Sequence, residues 1–178
     1  MASRSSEATG RRTGETLLRL LQSRLFFSPR AYRSKVKSPA EFAIGTVRLL
    51  GARAVAADLA RAMATFGEAW LMPPTVEGWH GERAWLSGAS WLLRSNWAAE
   101  LFAGRRGRLQ PTAASLLERF TDQDDKVKAA VLFLLDGDCS DESRRRLLAF
   151  ARSPAAQGTG GDAALLHATV ALPEYQLS

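Results

Sequence analysis

Cysteine and histidine are scarce in this chain, and that scarcity excludes much. Cys139 is the single cysteine, so neither an internal disulfide nor a thiolate-rich metal site can form. His80 and His167 are the only histidines, and they stand far apart in sequence, so they give no metal set at helical ligand spacing. Long apolar runs are missing as well. No segment approaches the roughly 20 residues needed to cross a bilayer. Arg11-Arg12 could open a twin-arginine export signal, but Glu15, Arg19 and Arg24 interrupt what should be its apolar region. No signal peptide is therefore expected within this chain. Nucleophile elbow, phosphate loop and dinucleotide fingerprint are all absent. No nucleophile, base and orienting group can be assembled, so the reading leans away from an enzyme and assigns no catalytic, cofactor or metal residue.

Hydrophobic residues make up 46% of the 178 positions, enough for a packed core. Lys and Arg number 24 against 18 Asp and Glu, a net +6. That balance favours solubility and permits contact with anionic partners. Residues 1–12 read as a disordered polar stub, and 13–178 as a single domain with a flexible linker at 153–161.

The apolar periodicity is helical throughout, with no sustained alternation of period two. We expect an all-α fold, an irregular domain of about seven to eight helices with a long loop rich in Trp, Pro and Gly. The first helix is expected over 15–26, with Leu17, Leu18, Leu21 and Leu25 on one face. Ser38-Pro39-Ala40-Glu41 is a start signal for a helix to Leu50. Val55, Leu59, Met63 and Phe66 form the stripe of a helix extending to about Trp70. Further helices are expected at 88–102, from Thr112 to Phe120, from a cap at Thr121, from a cap at Ser140, and from a cap at Asp162 to Pro173.

Three features are candidates for function. Trp70, Trp79, Trp85, Trp91 and Trp97 crowd one stretch, and the loop 73–86 also holds Glu77, His80, Glu82 and Arg83. Glu77, Trp79, His80, Glu82, Arg83 and Trp85 are thus a candidate ligand or carbohydrate site, possibly enzymatic in a larger protein. The competing and favoured reading is core packing by the indoles. Arg105, Arg106 and Arg108 form a basic cluster that could contact nucleic acid, though a helix end accounts for it more simply. Asp136, Asp138, Ser140 and Asp141 begin like a calcium loop, but the sixth and twelfth positions are Asp141 and Leu147 instead of Gly and Glu. Asp124 with Lys128, and Asp141 and Glu142 with Arg145 and Arg146, are expected to pair along helix faces.

Several segments together resemble a known family. They are Phe26-Phe27-Ser28-Pro29-Arg30-Ala31-Tyr32, Lys35 to Phe42 (KVKSPAEF), Gly45-Thr46-Val47-Arg48, Pro73 to Gly81 (PPTVEGWHG), Leu93-Arg94-Ser95-Asn96 and Leu172 to Gln176 (LPEYQ). Their order resembles the carboxy-terminal region of the bacterial family called domain of unknown function 1800, over roughly residues 15–178. Thr75 and Glu82 depart from its usual Asn and Gly. The resemblance implies a longer helical protein, often exported, with no established activity and no catalytic residue to carry over. On that basis we expect a non-catalytic structural or interaction module. Its partner would be a missing amino-terminal segment or another helical protein.

Overall fold

The computed structural model describes residues 13–52, 54–79, 81–104 and 114–178. Its contacts group into two compact units, residues 1–34 with Ser178 and residues 35–177. Each is described by itself. All regular structure among the described residues is helical, and only isolated bridges join Val36 with Leu177 and Thr75 with Gly78.

In the first unit, helix α1 covers 13–21 and stops sooner than periodicity suggested. Ser23 ends it. Its hydroxyl donates to the Leu20 carbonyl (2.7 Å) and accepts from the Phe26 amide (3.2 Å), so the backbone leaves the helical path for a series of turns.

The second unit starts with α2 (Pro39–Leu49). Ser38 Oγ accepts from the Glu41 amide (3.1 Å) and Glu41 Oε2 accepts from the Ser38 amide (2.7 Å), while Pro39 occupies a position that needs no donor. Helix α3 (Ala56–Thr65) stops before Trp70, because the chain turns at Gly67 with φ of 102°. A long loop with one 3-10 turn (Glu82–Trp85) leads to α4 (Gly88–Phe102), whose start is closed by reciprocal bonds between Ser87 and Ser90. Short α5 (Ala114–Leu117) precedes α6 (Gln123–Leu135), α7 (Asp141–Ala151) and α8 (Gly161–Val170).

Asp122, not Thr121, caps α6, its carboxylate accepting from the amides of Asp124 (3.0 Å) and Asp125 (3.2 Å). An aspartate one position along is the stronger acceptor for the positive helix end. Ser140 caps α7 as expected. Helix α8 starts from Gly160 at φ of 92°, and Asp162 points away to pair with Lys126 at 2.6 Å. Asp124 likewise accepts from Arg152 (2.6 Å), leaving Lys128 to Asp125 (3.0 Å). Residues 153–161 hold a 3-10 turn (Pro154–Ala156), with Ala156 and Gly161 buried, instead of a free linker.

The core of this unit joins Leu101 of α4, Val127 and Val131 of α6, Leu147 of α7, and Leu165, Leu166 and Val170 of α8. At one end, Phe42, Phe66, Trp97 and Tyr175 form an aromatic group in which Phe42 meets each of the other three at 5.9 Å between centroids.

Two glycines of this unit should respond oppositely to alanine. A Cβ on exposed, helical Gly45 meets nothing within 4 Å, whereas one on Gly161 collides with the Ala156 carbonyl. Gly45→Ala should raise the urea-unfolding free energy by about 0.5–1 kcal/mol, and Gly161→Ala should lower it by about 1–3 kcal/mol.

Candidate functional site

The loop after α3 is apolar and outward. Trp70 is 64% exposed, Leu71 80% and Met72 74%, and Val76 is fully exposed at the tip. Leu71 takes φ of 60°, a left-handed conformation that costs a branched side chain energy. Pro73-Pro74 stiffens the next step. A tight turn follows, in which the Gly78 amide donates to the Thr75 carbonyl (3.1 Å) and Thr75 Oγ1 donates to the Gly78 carbonyl (3.1 Å). Gly78 supplies the required positive φ of 100°.

The proposed ligand residues scatter around this turn. Glu77 is exposed beside Val76. Trp79 is half-buried, and its Nε1–H is shielded from solvent with no acceptor among the described residues. Trp85 is half-buried, lying against the space where Gly67 and Gly81 lack a Cβ. The Trp85 carbonyl accepts from Ser90 Oγ (2.8 Å), which ties this part of the loop to α4. His80 and the side chains of Glu82 and Arg83 lie outside the described residues, as do Arg105, Arg106 and Arg108. The indoles do not act together in the core. Trp97 alone is buried there, while Trp70 and Trp91 are exposed. Trp97 packs in the middle of α4 with Arg94, Ala98 and Leu101, whereas Trp91 stands near the start of the helix and is exposed.

The densest polar arrangement sits elsewhere, around Arg94. This side chain is 0% exposed. Its Nη2 donates to the Lys37 carbonyl (3.0 Å) and its Nη1 to Gln176 Oε1 (3.3 Å), and its guanidinium lies 5.1 Å from the centre of the Phe42 ring. Its Nε–H has no acceptor among the described residues. Burial pulls the guanidinium down to about 10, and the field of Glu68 works the other way. Arg94 therefore stays cationic at neutral pH, held by carbonyl dipoles and a ring face instead of a contacting carboxylate.

The groups around it are interlocked. Gln176 Nε2 donates to the Val170 carbonyl (2.9 Å), and the Lys37 amide donates to the Gln176 carbonyl (2.9 Å). Lys37 Nζ donates to the Tyr175 carbonyl (2.8 Å) and lies 4.1 Å from the centre of the Tyr175 ring. Tyr175 Oη meets Thr46 Oγ1 at 2.8 Å, and Thr46 Oγ1 donates to the Phe42 carbonyl at 2.6 Å. The single Thr46 hydroxyl proton is thus used, so the Tyr175 hydroxyl is the donor to Thr46. Burial pushes Tyr175 up to about 12.

None of this was singled out from the sequence as a site. The available signal was the charge of Arg94 within the apolar stripe Arg94, Trp97, Ala98 and Leu101, at spacings that share one helix face. The structure brings together three of the segments that carry the family resemblance, 35–42, 93–96 and 172–176.

Other titratable groups are also absorbed by packing. His167 Nε2 lies 3.0 Å from the Ser95 carbonyl and 3.1 Å from Ser95 Oγ. A carbonyl only accepts, so this nitrogen carries the proton. Burial lowers the His167 pKa, against the effect of that bond. Glu174 Oε1 accepts from the amide (3.2 Å) and hydroxyl (2.7 Å) of Ser140. Cys139 is half-buried beside that cap. Among the described residues, no three His, Cys, Asp or Glu gather in a way that could hold a metal ion, and no helix is long and apolar enough to cross a membrane.

Removing the central cation should be costly. Arg94→Ala strands two buried acceptors and opens a cavity, and should lower the urea-unfolding free energy by roughly 3 kcal/mol. Tyr175→Phe gives a pH test. Tyr175 holds its proton more tightly when folded, so its contribution is complete below pH 10 and is lost as pH rises towards about 12. The stability advantage of the wild type over Tyr175→Phe, about 1 kcal/mol at neutral pH, should therefore vanish or reverse across that interval.

No curated protein and no solved structure matches this chain. A family profile described as "Protein of unknown function (DUF1800)" matches residues 4–177. With nearly its whole length matched, the chain belongs to the DUF1800 family.

Proposed function

We propose that residues 35–177 act as a non-catalytic interaction module, with the loop 70–76 as its docking element and an apolar cleft on a partner protein as its target. One observation carries this reading: consecutive large apolar side chains project into solvent from a loop that is stiff and locally strained. A left-handed leucine costs about 1–2 kcal/mol, and such strain is concentrated at binding and switch positions. Exposed apolar patches of this kind mark interaction sites. Meanwhile the two terminal nitrogens of Arg94 and the Gln176 amide are engaged in holding segments of the fold together.

A second reading keeps the loop as a ligand site, favoured by the shielded, unpartnered Trp79 Nε1–H. A glycan that quenches tryptophan emission saturably, with the effect lost in Trp79→Phe, would support that reading over the first.

The docking reading is tested by a photo-crosslinking residue at position 76, with the exposed position 145 on α7 as the control. In the cells that make the protein, position 76 should give one discrete adduct and position 145 none. Leu71→Gly should abolish the adduct while raising stability by about 1 kcal/mol, because glycine takes the positive φ without cost. Equal labelling at both positions, or an adduct that survives Leu71→Gly, would contradict the proposal.

A further inference from the structure

The first unit presents a different surface. Placed at about 100° per residue, Leu17, Leu18, Leu20 and Leu21 of α1 occupy an arc of roughly 160°, with Glu15, Thr16 and Arg19 opposite. All four leucines are about half exposed. The turns that follow continue the pattern. Leu25 and Phe27 are 69% and 76% exposed, Phe26 and Tyr32 are also exposed, and Phe26 and Phe27 meet edge to face at 5.2 Å. Arg19, Arg24, Arg30 and Arg33 are interleaved with these apolar groups, against Glu15 alone. Among the described residues no ion pair engages Arg19, Arg24 or Arg30.

We infer that residues 15–33 bind the surface of an anionic lipid bilayer. The charge of the segment selects this occupant. An apolar helix groove on a protein would satisfy the leucines, but it would offer no anion to Arg19, Arg24 and Arg30. An anionic headgroup layer satisfies both, since leucine and phenylalanine side chains enter the acyl boundary while guanidinium groups remain among the phosphates. Arginine also suits phosphate through its planar fork of donors. The aromatic residues fit the same interface. This inference concerns a different unit from the docking loop and does not rest on it.

The experiment is co-sedimentation of the full chain with vesicles of phosphatidylcholine alone, or of phosphatidylcholine and phosphatidylglycerol in equal parts. Binding should be confined to the anionic vesicles and should weaken as salt is raised. Arg19→Gln with Arg24→Gln should lower the partition coefficient on the order of thirtyfold, at about 1 kcal/mol per surface cation. Leu17→Gln with Leu21→Gln should also abolish most binding. Leu132→Gln, which removes an exposed leucine of α6, should leave binding unchanged. Thermal unfolding of each variant would confirm that the second unit remains folded. Equal binding to neutral vesicles, no binding to either kind, or self-association in buffer that the Leu17/Leu21 variant abolishes would each overturn the inference. The last outcome would assign the face to protein contact.

Discussion

A guanidinium buried without a contacting carboxylate sets the terms for the second unit. Removing such a cation from water costs several kcal/mol, and the protein must return that energy through oriented dipoles. Arg94 finds them on two segments remote in sequence, the Lys37 carbonyl before α2 and the Gln176 side chain near the end of the chain. Neither acceptor is useful unless its segment is fixed, so solvation of one side chain becomes a positional constraint on three. The bridge between Val36 and Leu177 and the bond from the Lys37 amide to the Gln176 carbonyl follow from the same closure. Phe42 and Tyr175 complete it by offering ring faces to Arg94 and Lys37.

This economy bears on what the surface can do. The second unit places its most constrained polar groups inside, while Trp70, Leu71, Met72 and Val76 face water. That placement is the basis of the proposed docking by apolar contact. It also separates two roles within one family motif region, since 35–42, 93–96 and 172–176 hold the fold and the Pro-Pro turn presents the exposed loop.

Local features of the fold were legible in the sequence, and tertiary ones were not. The Ser38-Pro39-Ala40-Glu41 start of α2, the Ser140 cap of α7 and the limits of α4 depend on neighbours three or four residues away, so spacing alone locates them. Asp162 and Asp124 were misplaced because their partners, Lys126 and Arg152, lie on other elements. The crowding of five tryptophans in sequence suggested a shared role, yet helix phase and loop path send Trp97 inward and Trp70 outward. Arg94 was passed over for a related reason. An arginine in an apolar stripe can reach solvent along its stem, and only the packed chain reveals that this one does not.

Amide hydrogen exchange at Lys37 tests most directly whether Arg94 closes the second unit. That amide donates to the Gln176 carbonyl and lies outside any helix, so it has no local reason to be protected. If the closure is part of the cooperative core, it should exchange only through global unfolding, as slowly as the central amides of α6 and α8. If it exchanges as a frayed end while α6 and α8 stay protected, Arg94 is a passenger in the fold rather than its tie.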